Sequence, residues 1–247
     1  MKTSGNTILI TGGGSGIGRE LARRWHDMGN TVIVAGRTAA SLRETAEGHD
    51  NIHTLTYDAA NPHDTTRFAK ELLDRFPKLN VLFNNAGIMK YEDVAGSRNL
   101  SDAEDEVITN LLGPIRLTDA LVDHLKAQEG AMLVNTTSGL AYVPMPKAAT
   151  YCATKAALHS YTVSLRHKLE GQIQVIELIP PGVQTELTPG QSHREGYMPL
   201  DDYIDAVMAQ FEGGNPSAEI TVPMSKMLRD AERDGRFDQT LDMLASR

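Results

Sequence analysis

The chain has 247 residues, 40% of them hydrophobic and 23% charged, with 24 Lys and Arg against 32 Asp and Glu for a net charge of −8. That composition fills one full core in a single α/β unit, and negative charge spread along the chain without a basic stripe excludes nucleic acid and anionic membrane as natural partners. No apolar run approaches the roughly 18–20 residues of a membrane span, the start "MKTSGNTILITGGG" reads as neither signal peptide nor anchor, and one cysteine, Cys152, suits a reducing, cytoplasmic setting.

In chain order, short β-branched or apolar runs predict strands at Thr7–Ile10, Thr31–Ala35, Ile52–Tyr57, Val81–Asn84, Ala131–Asn135 and Ile173–Ile179. Helical patterns lie between them at Gly16–Met28, Ala39–Glu47, Pro62–Arg75, Ser101–Gln128 and Thr150–Glu170. Strands alternating with helices of this length predict right-handed crossovers and a doubly wound parallel sheet covered on both faces. No linker composition or internal repeat divides residues 1–247, so one domain is expected. After Ile179 the alternation stops. Pro180, Pro181 and Gly182 open an irregular stretch to about Pro199, followed by a helix near Leu200–Phe211 and a strand near Glu219–Val222. Within the broader substrate-loop region at about 186–215, the polar, glycine-containing stretch from Glu186 to Pro199 reads as a mobile lid.

The first strand runs into "TGGGSGIG", Thr11–Gly18, and a helix follows at once. Gly12, Gly16 and Gly18 give the spacing G-x-x-x-G-x-G, with Ser15 just before the second of these glycines and Ile17 between the second and third. A tight turn, close backbone approach and a helix N-terminus make such a segment a cradle for a dinucleotide pyrophosphate. About twenty positions after the loop, where an acidic residue would hold a free ribose hydroxyl, stand Gly36 and Arg37. A guanidinium there favours a 2′-phosphate, hence NADP over NAD. A solvated surface arginine is the other reading.

Further on come "NNAG" at 84–87, Asn110, Ser138, "YCATK" at 151–155 and "PPGVQT" at 180–185. With the glycine loop, these resemble the short-chain dehydrogenase/reductase family over roughly Thr7–Thr185, and the C-terminal tail looks most like a DltE-type branch of oxidoreductases. The tail "ITVPMSKMLRDAERDGRFDQTLDMLASR" departs from the glycine-rich ending of many members. The resemblance implies a Rossmann-type NAD(P) domain with Tyr151 as general acid/base and Lys155 on the nicotinamide ribose. It implies Ser138 on the substrate carbonyl and Asn110 holding a proton-relaying water through its backbone carbonyl. It also implies cofactor contacts from Asp58, Asn85, Ala86 and Gly87, and from Pro181, Gly182, Val183 and Thr185 around the carboxamide.

Spacing adds a physical reason. Tyr151 and Lys155, four apart, share one helical face. Lowering a phenol from about pKa 10 to about 7 needs roughly 4 kcal/mol, which one cation about 4 Å away supplies at an effective dielectric near 20. Singly, each residue also reads as ordinary packing or a solvated side chain. Cys152 reads as a packing residue, His159 is assigned no role, and the histidine spacing indicates no metal.

The leading reading is an NADP-dependent oxidoreductase interconverting a carbonyl and an alcohol. Apolar residues Gly139, Leu140, Val143, Ile88 and Met89 beside the motifs favour a small, neutral, moderately hydrophobic substrate. An epimerase or dehydratase with bound cofactor, or a non-catalytic nucleotide-sensing protein, remain as alternatives. Small residues Ala153, Ala157, Ser160 and Ser164 face away from the Tyr151 stripe, and the helix from Ser101 carries two apolar faces (Val107, Leu111, Leu121, Leu125 and Ile108, Leu112, Ile115, Val122). A homo-oligomer is expected, a dimer rather than a tetramer.

Overall fold

Alternating β-branched runs and amphipathic segments build seven strands: β1 Thr7–Thr11, β2 Thr31–Gly36, β3 Ile52–Thr56, β4 Leu79–Asn84, β5 Met132–Thr136, β6 Gln174–Ile179 and β7 Glu219–Thr221. In this computed structural model, which describes residues 2–246, they form one sheet in the order β3-β2-β1-β4-β5-β6-β7, with every pair parallel. Met1 and Arg247, the ends of the expected 1–247 domain, lie outside the described residues. The helices are α1 Gly16–Asp27, α2 Ala39–Ala46, α3 Pro62–Arg75, α4 Ser101–Val107, α5 Gly113–Lys126, α6 Ala149–Lys168, α7 Leu200–Phe211, α8 Pro223–Arg229 and α9 Phe237–Ala245.

Burial on both sheet faces explains the unbroken apolar runs. Ile8, Leu9 and Ile10 are all fully buried, with Ile8 and Ile10 facing the α1 and α7 side and Leu9 the α3 and α5 side. Trp25 of α1 fills the first layer against Phe83 and Phe211, at ring separations of 6.2 and 5.2 Å. Strand order reverses between β1 and β4, which opens a crevice at their carboxyl ends.

The helix expected over Ser101–Gln128 is interrupted. Residues Ile108–Leu112 make a π-helical turn, in which the Gly113 N–H reaches back to the Ile108 carbonyl. The cause is local. Gly113 approaches Ala59 so closely that an added Cβ would lie 3.0 Å from its Cβ and its carbonyl oxygen, and Pro114 has no N–H to continue the α-helical ladder. The extra residue turns the phase of the helix. Leu121 and Leu125 are buried while Val107 is 38% exposed, so these residues do not share one face.

Candidate active site

The cleft begins where β1 hands over to α1. Gly12 and Gly16 adopt positive φ angles of 67° and 49°. A Cβ on Gly12 would stand 2.9 Å from the Ala86 Cα, and one on Gly18 would stand 2.4 Å from the Gly12 carbonyl oxygen and 2.6 Å from Asn85 Nδ2. Backbone therefore packs on backbone, leaving a floor that side chains would fill. Ser15 is exposed at the N-cap of α1 and Ile17 and Gly18 line the cleft behind it. Such a cradle fits a pyrophosphate, with the α1 N-terminus favouring negative charge.

At the adenosine end, Arg37 and Asp58 line one recess together with Gly12, Ala86 and Gly87. Arg37 is exposed, and among the described residues it makes no ion pair or hydrogen bond. Asp58 caps its own turn, accepting from the Ala60 N–H at 3.0 Å. Asn85 is held by Thr11: its N–H donates to Thr11 Oγ1 at 3.0 Å and its Nδ2 to the Thr11 carbonyl at 3.1 Å.

At the other end, Ser138, Tyr151 and Lys155 line the same cleft. Ser138 follows β5, and Tyr151 and Lys155 lie one turn apart in α6, so strand end and helix start set their spacing. Ser138 Oγ accepts from the Leu140 N–H at 3.1 Å, and its hydroxyl lies on the same cleft wall as the Tyr151 phenol. Lys155 Nζ donates to the Thr136 carbonyl at 2.8 Å and lies 5.7 Å from the Tyr151 ring centroid.

Burial governs the titration of both. It pushes the Tyr151 phenol well above its ordinary value, against the lowering by the neighbouring Ser138 hydroxyl, and it pulls Lys155 down to about 8. The expected lowering of Tyr151 by Lys155 is thus absent from this arrangement. The ammonium is itself desolvated and turned toward a backbone carbonyl, and burial sets the direction of the shift at the phenol.

Asn110 sits fully buried in the π-helical turn. Its side chain clamps the segment after "NNAG", accepting from the Ile88 N–H and donating to the Ile88 carbonyl, both at 2.8 Å. Pro114, four residues on, denies the Asn110 carbonyl its α-helical donor. Pro181, Val183 and Thr185 line the cleft, whereas Gly182 lies on the neighbouring side against the Tyr197 ring, 3.0 Å from a would-be Cβ. The segment beyond is more structured than its sequence period indicates. Gln191–His193 form one 3-10 turn, Gln191 Nε2 donates to the Val183 carbonyl at 2.8 Å, and Met198 bridges back to Val183.

Comparison with known proteins decides the family. The short chain dehydrogenase family model matches residues 6–196. An uncharacterized oxidoreductase, DltE of Bacillus subtilis (strain 168), is 40% identical over 248 residues, covering 97% of this chain and 98% of that protein. The chain belongs to the short-chain dehydrogenase family, in its DltE-type branch. It is an NAD(P)-dependent oxidoreductase. The 11-beta-hydroxysteroid dehydrogenase A of Sesamum indicum is 27% identical, over 95% of this chain and 68% of that protein. The short-chain dehydrogenase of Burkholderia cenocepacia J2315 in complex with NADP shares the fold, with a TM-score of 0.82 at 24% identity over 99% of both chains. The 3-ketoacyl-(acyl-carrier-protein) reductase of Brucella melitensis complexed with NADH has a TM-score of 0.77 at 27% identity, over 88% of this chain and 93% of that one.

This short-chain dehydrogenase also contains a buried polar cluster beside the site that motif spacing does not mark. Glu177 of β6 is fully buried and accepts from Thr137 Oγ1 at 2.7 Å and from the Tyr142 hydroxyl at 3.1 Å, while His159 Nδ1 lies 2.8 Å away. Thr137 precedes Ser138, and His159 lies one turn beyond Lys155 in α6. The one clue in the sequence was a carboxylate inside the apolar run "VIELIP".

Proposed function

We propose that this short-chain dehydrogenase interconverts a small uncharged carbonyl compound and its alcohol, with NADPH as the preferred cofactor. The observation that carries the reading is the convergence of Ser138, Tyr151 and the buried Lys155 on the wall of one glycine-floored cleft. The glycine floor, Asn85, Ala86 and Gly87 would hold the dinucleotide, with Arg37 available to its 2′-phosphate and Pro181, Val183 and Thr185 to its carboxamide. Bound there, the reduced nicotinamide supplies the hydride.

Ser138 donates to the substrate oxygen, where negative charge grows. Tyr151 gives that oxygen its phenolic proton. Lys155 holds the ribose hydroxyls, and the Asn110 carbonyl, freed by Pro114, anchors the water that resupplies the proton.

Exposed Val107 and Val163 on α4 and α6, at 38% and 44% exposure, support a two-fold dimer through these helices. No described helix is long and apolar enough to cross a membrane, and a cytoplasmic location belongs to the same reading. The test is loss of the reduced-nicotinamide absorbance on mixing protein and NADPH with a panel of aldehydes and ketones. Turnover with NADPH supports the proposal, and cofactor binding without turnover of any member contradicts it.

A further inference from the structure

A carboxylate inside a sheet strand is costly to bury. Glu177 of β6 is fully buried, and the reaction proposed above leaves it without a part. Its neighbour across the β5–β6 pair is Asn135. Both reach the α6 side of the sheet, Asn135 through Nδ2 to Thr162 Oγ1 at 2.9 Å and Glu177 to His159 Nδ1 at 2.8 Å. Side chains alternate along an extended chain, so Thr137, two residues on from Asn135, turns to that side and Ser138 to the other. Ser138 keeps the extended backbone, at φ −169° and ψ 154°.

β5 ends at Thr136, and past that point the Glu177 carboxylate takes hold of the chain. Thr137 Oγ1, from the residue before Ser138, donates to Oε1 at 2.7 Å. The Tyr142 hydroxyl, from four residues after Ser138, donates to the same oxygen at 3.1 Å. His159 Nδ1 meets the other oxygen, Oε2. Tyr151, Lys155 and His159 follow at steps of four along one stripe of α6. One carboxylate thus joins the loop of Ser138, at both its ends, to the helix face of Tyr151 and Lys155.

The cluster is closed from outside. Arg229 of α8 lies over the Tyr142 ring at 5.7 Å and is held by two bonds to Glu219 of β7, at 2.7 and 3.0 Å. Its neighbour Leu228 packs on Gly139, where an added Cβ would stand 2.6 Å from Leu228 Cδ1. Backbone bonds from the Thr137 N–H to the Leu178 carbonyl and from the Gly139 N–H to the Pro180 carbonyl, both at 2.9 Å, fix the chain on either side of Ser138. They leave the loop free to rotate about that line, and donors from both its ends on one carboxylate remove the rotation.

We infer that Glu177 is a positioning residue of the reaction, which holds the Ser138 hydroxyl on the cleft wall beside Tyr151 by gripping Thr137, Tyr142 and His159. Fully buried, it has no surface to offer cofactor or substrate, and it acts through Ser138. A misplacement of about 1 Å in a reacting geometry costs about a hundredfold in rate. The inference rests on the carbonyl chemistry proposed above for Ser138 and Tyr151, so one readout is taken apart from turnover.

That readout is the Leu140 amide, whose N–H donates to Ser138 Oγ at 3.1 Å and so reports where that oxygen lies. Hydrogen exchange is followed at isotope-labelled leucine amides in the NADP+-saturated protein. Leu140 should exchange about tenfold or more faster in Glu177→Leu than in wild type. Glu177→Gln, which keeps an acceptor for Thr137 and Tyr142, should return it to the wild-type rate. With NADPH and a carbonyl of the panel, Glu177→Leu should lower kcat about tenfold or more while KM stays within about threefold. In a Ser138→Ala background it should cost nothing further, because the two residues act as one unit. Should Glu177→Leu fail to fold, Thr137→Val cuts the link next to Ser138 and keeps the shape, with the same outcomes expected and Thr137→Ser as the rescue. An unchanged Leu140 amide, or an equal loss of kcat in the Ser138→Ala background, would overturn the inference. Leu140 exchange that follows Glu177 in a protein that turns over no carbonyl would contradict the proposed reaction and leave the positioning standing.

Discussion

The imidazole of His159 and the carboxylate of Glu177 form a pair, Nδ1 to Oε2 at 2.8 Å, with the carboxylate fully buried and the imidazole partly exposed. The pair ties α6 to β6 one turn from Lys155 and, through Thr137, one residue from Ser138. It accounts for a charge in the middle of a sheet strand: a buried carboxylate is tolerable when every near neighbour donates to it.

Stability should therefore depend on pH through His159. The Glu177 hydrogen bond raises its pKa above the ordinary 6.5, burial opposes the rise, and the charges of Glu177 and Glu219 add to it against Arg229. The folded state binds the proton more tightly than the unfolded chain. The stabilisation is complete below pH 6.5 and is lost as pH rises through the elevated value. The melting-temperature gap between wild type and His159→Gln should be widest in acid and narrow in alkaline buffer. A gap that does not change with pH would count against the charged pair.

Gly18→Ala should damage the cradle itself. The new Cβ meets the Gly12 carbonyl oxygen at 2.4 Å, and backbone cannot swing aside as a side-chain tip does. A stability loss of about 1–3 kcal/mol is expected from the overpacking, with NADPH affinity falling about tenfold or more. Wild-type affinity by calorimetry would show that the floor is not where the pyrophosphate lies.

Much of this was legible in the sequence because backbone chemistry and burial leave local marks. The glycines of "TGGGSGIG" sit where contacts forbid a Cβ, and the strands read as apolar runs because both sheet faces are covered. What the pattern did not carry is tertiary. The π-helical turn at Ile108–Leu112 arises from the approach of Gly113 to Ala59, residues 54 apart. The titration of Tyr151 follows from burial under neighbours outside its own helix, so a pairwise argument from the Lys155 spacing gave the opposite direction. The packing of α8 and α9 against Ser138 likewise depends on contacts far along the chain.

Arg37→Asp should erase or reverse the preference for NADPH over NADH. A charge-assisted bond is worth about 1.5–3 kcal/mol, a preference of about 10- to 100-fold in kcat/KM. Ser15, just before the second glycine of the loop, carries no charge, so the loop supplies no second cation there. Equal kcat/KM for the two cofactors in the wild type would remove Arg37 from the site.

The proposed dimer predicts that Ser160→Arg, on the exposed small-residue face of α6, shifts the protein toward monomer. Light scattering behind size exclusion reads the mass directly. A wild-type particle of 26.9 kDa at micromolar concentration would refute the interface.

The most direct measurement of the central claim compares Tyr151→Phe with wild type, using NADPH and the best carbonyl acceptor of the panel. The substitution keeps the ring and its packing but removes the proton. The proposal predicts that kcat falls about a hundred- to ten-thousandfold, the range for loss of a positioned proton donor, while the NADPH dissociation constant is unchanged. A Tyr151→Phe protein that retains kcat within about tenfold of wild type would contradict the assignment of Tyr151 as the group that moves the proton.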